Sequence, residues 1–166
     1  MLKLFPMLLI IFMLYSSNSY SQETYSNNKI GISAAIQNDQ FEIQLPIRTS
    51  SYFLIAPSIS FISIGDDAKD FQLGLSNRIY ISPKKVSTYA GARIGVLFNI
   101  PKNADSVIDY TFGISGGAEY YFDKNFSIGI EGQLNVSKSD DKSVRFASPG
   151  EFIINTATVI LATIYF

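Results

Sequence analysis

Six charged residues set the chemistry open to this chain: Glu42, Arg48, Arg78, Arg93, Glu119 and Glu131. Each has an apolar residue next to it, Ile47 beside Arg48 and Ile79 beside Arg78 for example, and in an extended chain each lies on the face opposite to that neighbour. Carboxylates and guanidiniums withdrawn from water persist when they are paired and hydrogen-bonded. The six are therefore expected to form ion-pair networks in a shared interior, a structural role with a narrow, gated polar path as the functional alternative. Catalytic chemistry has little to work with. The chain contains no His and no Cys, which removes imidazole bases, thiol nucleophiles and the usual zinc ligands. No catalytic residue, cofactor site or metal site is assigned. Two acidic clusters, Asp66, Asp67 and Asp70, then Asp140 and Asp141, carry the oxygen ligands calcium favours. Neither has the spacing of an EF-hand loop, and both read as solvated loops. Gly113, Gly116 and Gly117 fall inside an extended segment, whereas a phosphate-binding loop must open a helix.

The elements that must position these charges are strands. In the segment 126–136, Phe126, Ile128, Ile130, Leu134 and Val136 alternate with Ser127, Gly129, Glu131, Gln133 and Asn135, and only Gly132 interrupts the apolar row. A period of two is the signature of a β-strand with one apolar face. Two architectures use such a strand. A soluble sandwich turns the apolar face to its core, and a membrane barrel turns it to lipid with the polar face inside. The same alternation recurs at Ile30–Ile36, Phe41–Arg48, Ile55–Phe61, Phe71–Ile81, Ala90–Phe98, Tyr110–Phe122 and Phe152–Phe166. With the segment above this predicts eight strands and no helix.

The connections alternate in length. Thr49–Ser51, Ser82–Lys85 and Asp123–Asn125 are tight turns built from turn-forming residues. Gly65–Asp70, Asn99–Val107 and Ser137–Glu151 are longer. Short turns on one rim and long loops on the other are the pattern of outer-membrane barrels. The first connection, Gln37–Asp39, departs from it by being short on the long-loop rim. Phe41, Tyr52, Phe53, Phe61, Phe71, Tyr80, Phe98, Tyr110, Tyr120, Phe122, Phe126, Phe152, Tyr165 and Phe166 fall near strand ends, where amphipathic rings suit the two bilayer interfaces.

Composition and the N-terminus agree with export to a membrane. Charged residues are 16% of the chain and aromatics 14%, with a net charge of −1. So few charges and no basic excess argue against a nucleic-acid partner. At the N-terminus, Lys3 precedes an apolar run ending at Leu14, and Ser19 and Ser21 supply a small-x-small cleavage signal. This reads as a signal peptide over residues 1–21, cleaved before Gln22. The mature region 22–166 then forms one domain.

The stretch Gly116–Leu134, GGAEYYFDKNFSIGIEGQL, resembles the strand–tight turn–strand hairpin of small outer-membrane β-barrel proteins. These are the OmpA-like and OmpX-like barrels, in the form common in Bacteroidetes. The terminal Ile164-Tyr165-Phe166 resembles the aromatic signal read by the outer-membrane assembly machinery. The resemblance implies an eight-stranded antiparallel up-and-down transmembrane β-barrel, without a peptidoglycan-binding domain, in the outer membrane of a Gram-negative bacterium. The partners it implies are outer-membrane lipid, the assembly machinery acting on Tyr165 and Phe166, and a surface ligand at the long loops, above all Ser137–Glu151. A structural or surface-interaction role follows. A small porin and a soluble exported barrel that binds an apolar ligand are the alternatives.

Overall fold

The computed structural model describes residues 29–37, 40–64, 68–101, 106–143 and 149–166. The expected signal peptide lies outside them, as do Asp66 and Asp67. Every regular element among the described residues is a strand: β1 (Gly31–Gln37), β2 (Gln40–Gln44), β3 (Ile47–Ser50), β4 (Phe53–Ile64), β5 (Ala68–Tyr80), β6 (Val86–Pro101), β7 (Val107–Tyr121), β8 (Phe126–Lys138) and β9 (Phe152–Tyr165). All neighbours pair antiparallel, in the order β2-β1-β9-β8-β7-β6-β5-β4-β3, and β2 also pairs with β4. The ring is therefore closed.

The fold is an eight-stranded barrel, because β2 and β3 are two halves of one wall strand. They are separated at Leu45 and Pro46, where the sequence predicts one unbroken strand. Proline has no N–H to give to a ladder. The bonds around it are nevertheless kept: Leu45 N–H donates to the Pro57 carbonyl (2.8 Å), Gly31 N–H to the Pro46 carbonyl (2.9 Å) and Arg48 N–H to the Lys29 carbonyl (2.7 Å). Closure comes from β1 and β9, with Ile32 opposite Ile164 and Ile36 opposite Ile160.

The pleat sorts the side chains. On β8, Ile128, Ile130 and Leu134 face outwards at 41%, 56% and 43% exposure, while Glu131 and Gln133 are 5% exposed inside. Twelve of the fourteen aromatics expected at the interfaces face outwards or are half-buried on the outer surface. Phe71 and Phe98 stack there with ring centroids 4.6 Å apart. Tyr80 and Tyr165 do not belong to that set. They are 2% and 0% exposed and point into the barrel. Tyr80 is two residues from Arg78 and shares its parity, and Tyr165 has the parity opposite to Phe166.

The wall is uneven in height. Strands run farther towards the long-loop rim than the alternation suggested, so Asp70 lies within β5, buried, rather than in a loop. The ladder between β1 and β2 ends early, at the pair Gln37–Gln40, in keeping with the short connection expected there. From Phe152 to Val159, β9 pairs with β8 alone among the described residues. The barrel is thus tall across β5 to β9 and low at the first hairpin.

Candidate functional site

The interior is filled in tiers from the short-turn rim upward. The lowest tier centres on Glu119 of β7, which is 2% exposed. Its carboxylate accepts four hydroxyl donors: Tyr80 (2.6 Å) and Tyr121 (2.9 Å) on one oxygen, Ser127 (2.5 Å) and Tyr165 (2.9 Å) on the other. Arg48 Nη2 donates to the Tyr121 hydroxyl at 2.5 Å. Its guanidinium lies over the Tyr80 ring, 4.5 Å from the centroid. Arg48 and Glu119, expected in ion-pair networks, meet no direct ion partner among the described residues. They communicate through a tyrosine hydroxyl instead. Leu54 and Ala56 complete this tier with the four tyrosines Tyr80, Tyr89, Tyr121 and Tyr165.

In the second tier the expected pairing appears. Arg78 Nε lies 3.6 Å from Glu131 Oε2 with both side chains buried. Arg78 Nη2 donates to Gln44 Oε1 (2.8 Å), and Glu131 accepts from the Tyr89 hydroxyl (3.0 Å) and from Gln133 Nε2 (2.7 Å). In the third tier Arg93 Nη2 lies 3.2 Å from Glu42 Oε2. Gln44 Nε2 donates to Glu42 Oε1 (2.9 Å) and so links this pair to the one below. Asn135 Nδ2 donates to Gln133 Oε1 (3.3 Å). One polar chain therefore runs Arg93–Glu42–Gln44–Arg78–Glu131–Gln133–Asn135.

Above it lies a cavity of about 80 Å³ at the long-loop end. Gln37, Gln40, Gln72, Arg93, Leu97, Thr111, Gln133, Asn135, Ser137 and Asn155 line it. Two glycines shape its wall. A Cβ on Gly95 would occupy the place of Gln72 Nε2, and one on Gly113 the place of Asn135 Oδ1. The missing side chains let these two amides lie flat against neighbouring strands.

The last connection, Ser137–Glu151, is tied down at its base. Buried Asp109 accepts the Asp140 N–H (2.8 Å) and the Ser143 hydroxyl (2.9 Å) on its two oxygens. Lys138 Nζ reaches the Gly150 carbonyl, and Gly150, at φ 73°, returns its own N–H to the Asp140 carbonyl (3.1 Å). Residues 144–148 of this loop lie outside the described residues.

All six sequence-assigned charges point inward, four of them as two ion pairs. The hydroxyls and amides that connect them were not assigned from sequence, although their parity could have found them. Tyr121 follows Glu119 by two residues, Gln44 follows Glu42 by two, and Gln133 follows Glu131 by two. Chemically the lower tiers have no reactive group to spare, since both Glu119 oxygens and both Glu131 oxygens are engaged. Among the described residues no group of three or more potential metal ligands comes together.

Two solved structures share this architecture. The N-terminal β-barrel domain of Pseudomonas aeruginosa OprF matches with a TM-score of 0.59 at 14% identity, over 85% of this chain and 98% of that one. Neisserial surface protein A (NspA) matches with a TM-score of 0.55 at 12% identity, over 83% of this chain and 94% of that one. No family model and no curated protein sequence matches the chain.

Proposed function

We propose that the chain is an integral outer-membrane barrel of a Gram-negative bacterium, with a structural or surface-interaction role and no catalytic activity. The observation that carries this reading is the inverted arrangement of polarity. Aliphatic and aromatic side chains cover the outside of a closed sheet, and buried charges fill its centre. In hydrocarbon every backbone N–H and C=O must be paired within the protein, and a closed barrel meets that demand with strands alone. The match to NspA, itself named a surface protein, supports a role at the cell surface. Export would use residues 1–21 as a cleaved signal peptide. Tyr165 and Phe166 would present the last strand to the assembly machinery, with Phe166 exposed on the outer surface for that contact.

The tiers argue against a pore, because the interior of an eight-stranded barrel is just wide enough for side chains to fill. A porin or a gated path is therefore not the preferred reading, and neither is a soluble carrier, whose apolar face would line the interior. Membrane fractionation followed by electrophoresis with and without boiling tests the proposal. The expected result is recovery in the detergent-extracted envelope and a band that shifts on heating. Recovery in the soluble fraction with no shift would overturn it.

A further inference from the structure

We infer that the cavity at the long-loop end is a binding cup for the hydroxyl-bearing edge of a neutral polyhydroxyl ligand such as a hexose. This gives a ligand class to the surface-interaction role and rests on that reading for its biological setting.

Three observations converge on it. First, the cup is a dead end. The Arg78–Glu131–Gln44 tier and the Glu119 tier close it from below, so a molecule can reach it only from the long-loop rim, where the low hairpin of β1 and β2 leaves β9 uncovered. Asn155, on this uncovered part of β9, is exposed and lines the cup.

Second, the lining is amide. Six of the lining residues are Gln or Asn, Leu97 is the one apolar member, and Arg93 is the one charge. Arg93 already has Glu42 at 3.2 Å. A charged ligand would enter without a free counter-charge, and an unpaired charge removed from water is costly. A carboxamide offers a donor and an acceptor side by side. Vicinal hydroxyls, each both donor and acceptor, match that pair.

Third, a residue of the lining carries an unused acceptor. Asn135 is 6% exposed, and its Oδ1 has no hydrogen-bond partner. Buried amide oxygens are nearly always partnered, and an exception calls for an explanation. This oxygen lies against Gly113 on the barrel wall, and the residue that carries it lines the cup. By volume the cup holds roughly six waters at ~12 Å³ each, enough for the hydroxyl-bearing edge of one hexose ring to replace them.

The test is saturation-transfer NMR on the mature chain in detergent micelles. D-Galactose and D-glucose are the probes, and D-galacturonate is the charged control. Transfer to at least one neutral hexose is expected, with little to galacturonate. Asn135→Ala and Asn155→Ala should each weaken binding by about tenfold, as removing one good hydrogen bond does. Both variants are checked for a retained heat-shifted band. Asn155 is exposed, so its variant still decides the matter should Asn135→Ala fail to fold. No transfer to either hexose, stronger transfer to galacturonate, or unaltered binding in a folded Asn155 variant would each overturn the inference. Binding is read on purified protein and membrane residence by fractionation, so one reading can fail while the other stands.

Discussion

The two ends of the lumen are built from different chemistry. At the short-turn end Glu119 takes four hydroxyl donors, and tyrosine rings enclose Arg48. At the long-loop end amides line a cavity, and Asn135 keeps an acceptor without a partner. Both ends are polar, so polarity does not distinguish them. The kind of group left unanswered does. At the lower end both oxygens of Glu119 and of Glu131 are engaged, and the atoms without a hydrogen-bond partner are the Nε of Arg48 and of Arg78, closed in by tyrosine rings. A neutral amide can be left partly unanswered at modest cost, and that remainder is what a ligand can use. The lower end holds the barrel together, and the upper end is free to bind.

This contrast can be broken at several points. The largest effect is expected at Glu119. Glu119→Ala strips the partner from four hydroxyls and leaves the Arg48 charge buried without its relay, which should cost about 3–5 kcal/mol. Urea unfolding in micelles, read by loss of the heat-shifted band, measures it. A loss under about 1 kcal/mol, the size of an ordinary hydrogen bond, would show that the lower tier does not hold the barrel.

Next comes the outer face, which sharpens the comparison of inside with outside on one strand. Ile130→Arg should cost about 2–4 kcal/mol if it lies near the bilayer midplane, whereas at a water-facing surface position it would fall within about 0.5 kcal/mol. Refolding yield into lipid vesicles compares the two.

Asp109→Ala should follow. It removes the acceptor of the Asp140 N–H and the Ser143 hydroxyl, worth about 1–3 kcal/mol of local order. The expected readout is faster proteolysis within Ser137–Glu151 with the strands still protected. Uniform protection would mean the latch is redundant. The smallest effect belongs to Asn155→Ala, expected within about 0.5 kcal/mol for a surface position. If it destabilised the barrel as much as Glu119→Ala, the division between a holding end and a binding end would be wrong. Arg78→Met separates sealing from stability. Planar-bilayer conductance is expected to stay at zero because the Glu119 tier still closes the lumen, and a conducting barrel would place the seal at Arg78 instead.

The alternation of Ile128, Ile130 and Leu134 with Glu131 and Gln133 was legible without coordinates, and so were the inward direction of all six charges and the short turns. Side-chain direction in a strand depends only on counting by two, and that count is local to each segment. The count also showed where it would be misread. Nearness to strand ends places Tyr80 and Tyr165 with the outward rings, whereas their parity, with Arg78 and against Phe166, turns them inward. The split at Leu45 and Pro46 was likewise present in the sequence as a proline, but nothing local said that the ladder would continue on both sides of it.

What the amino-acid order alone determined is therefore which face each side chain takes, strand by strand. Which side chains meet across the lumen was decided only by the closed barrel. Arg78 and Glu131 pair, while Arg48 reaches Glu119 through Tyr121, because strand tilt and stagger on closure set the relative heights of residues on opposite walls. That stagger is a property of the whole ring. The cup at the long-loop end exists for the same reason: the early turn of the first hairpin lowers one wall against β9, and no single strand carries that information.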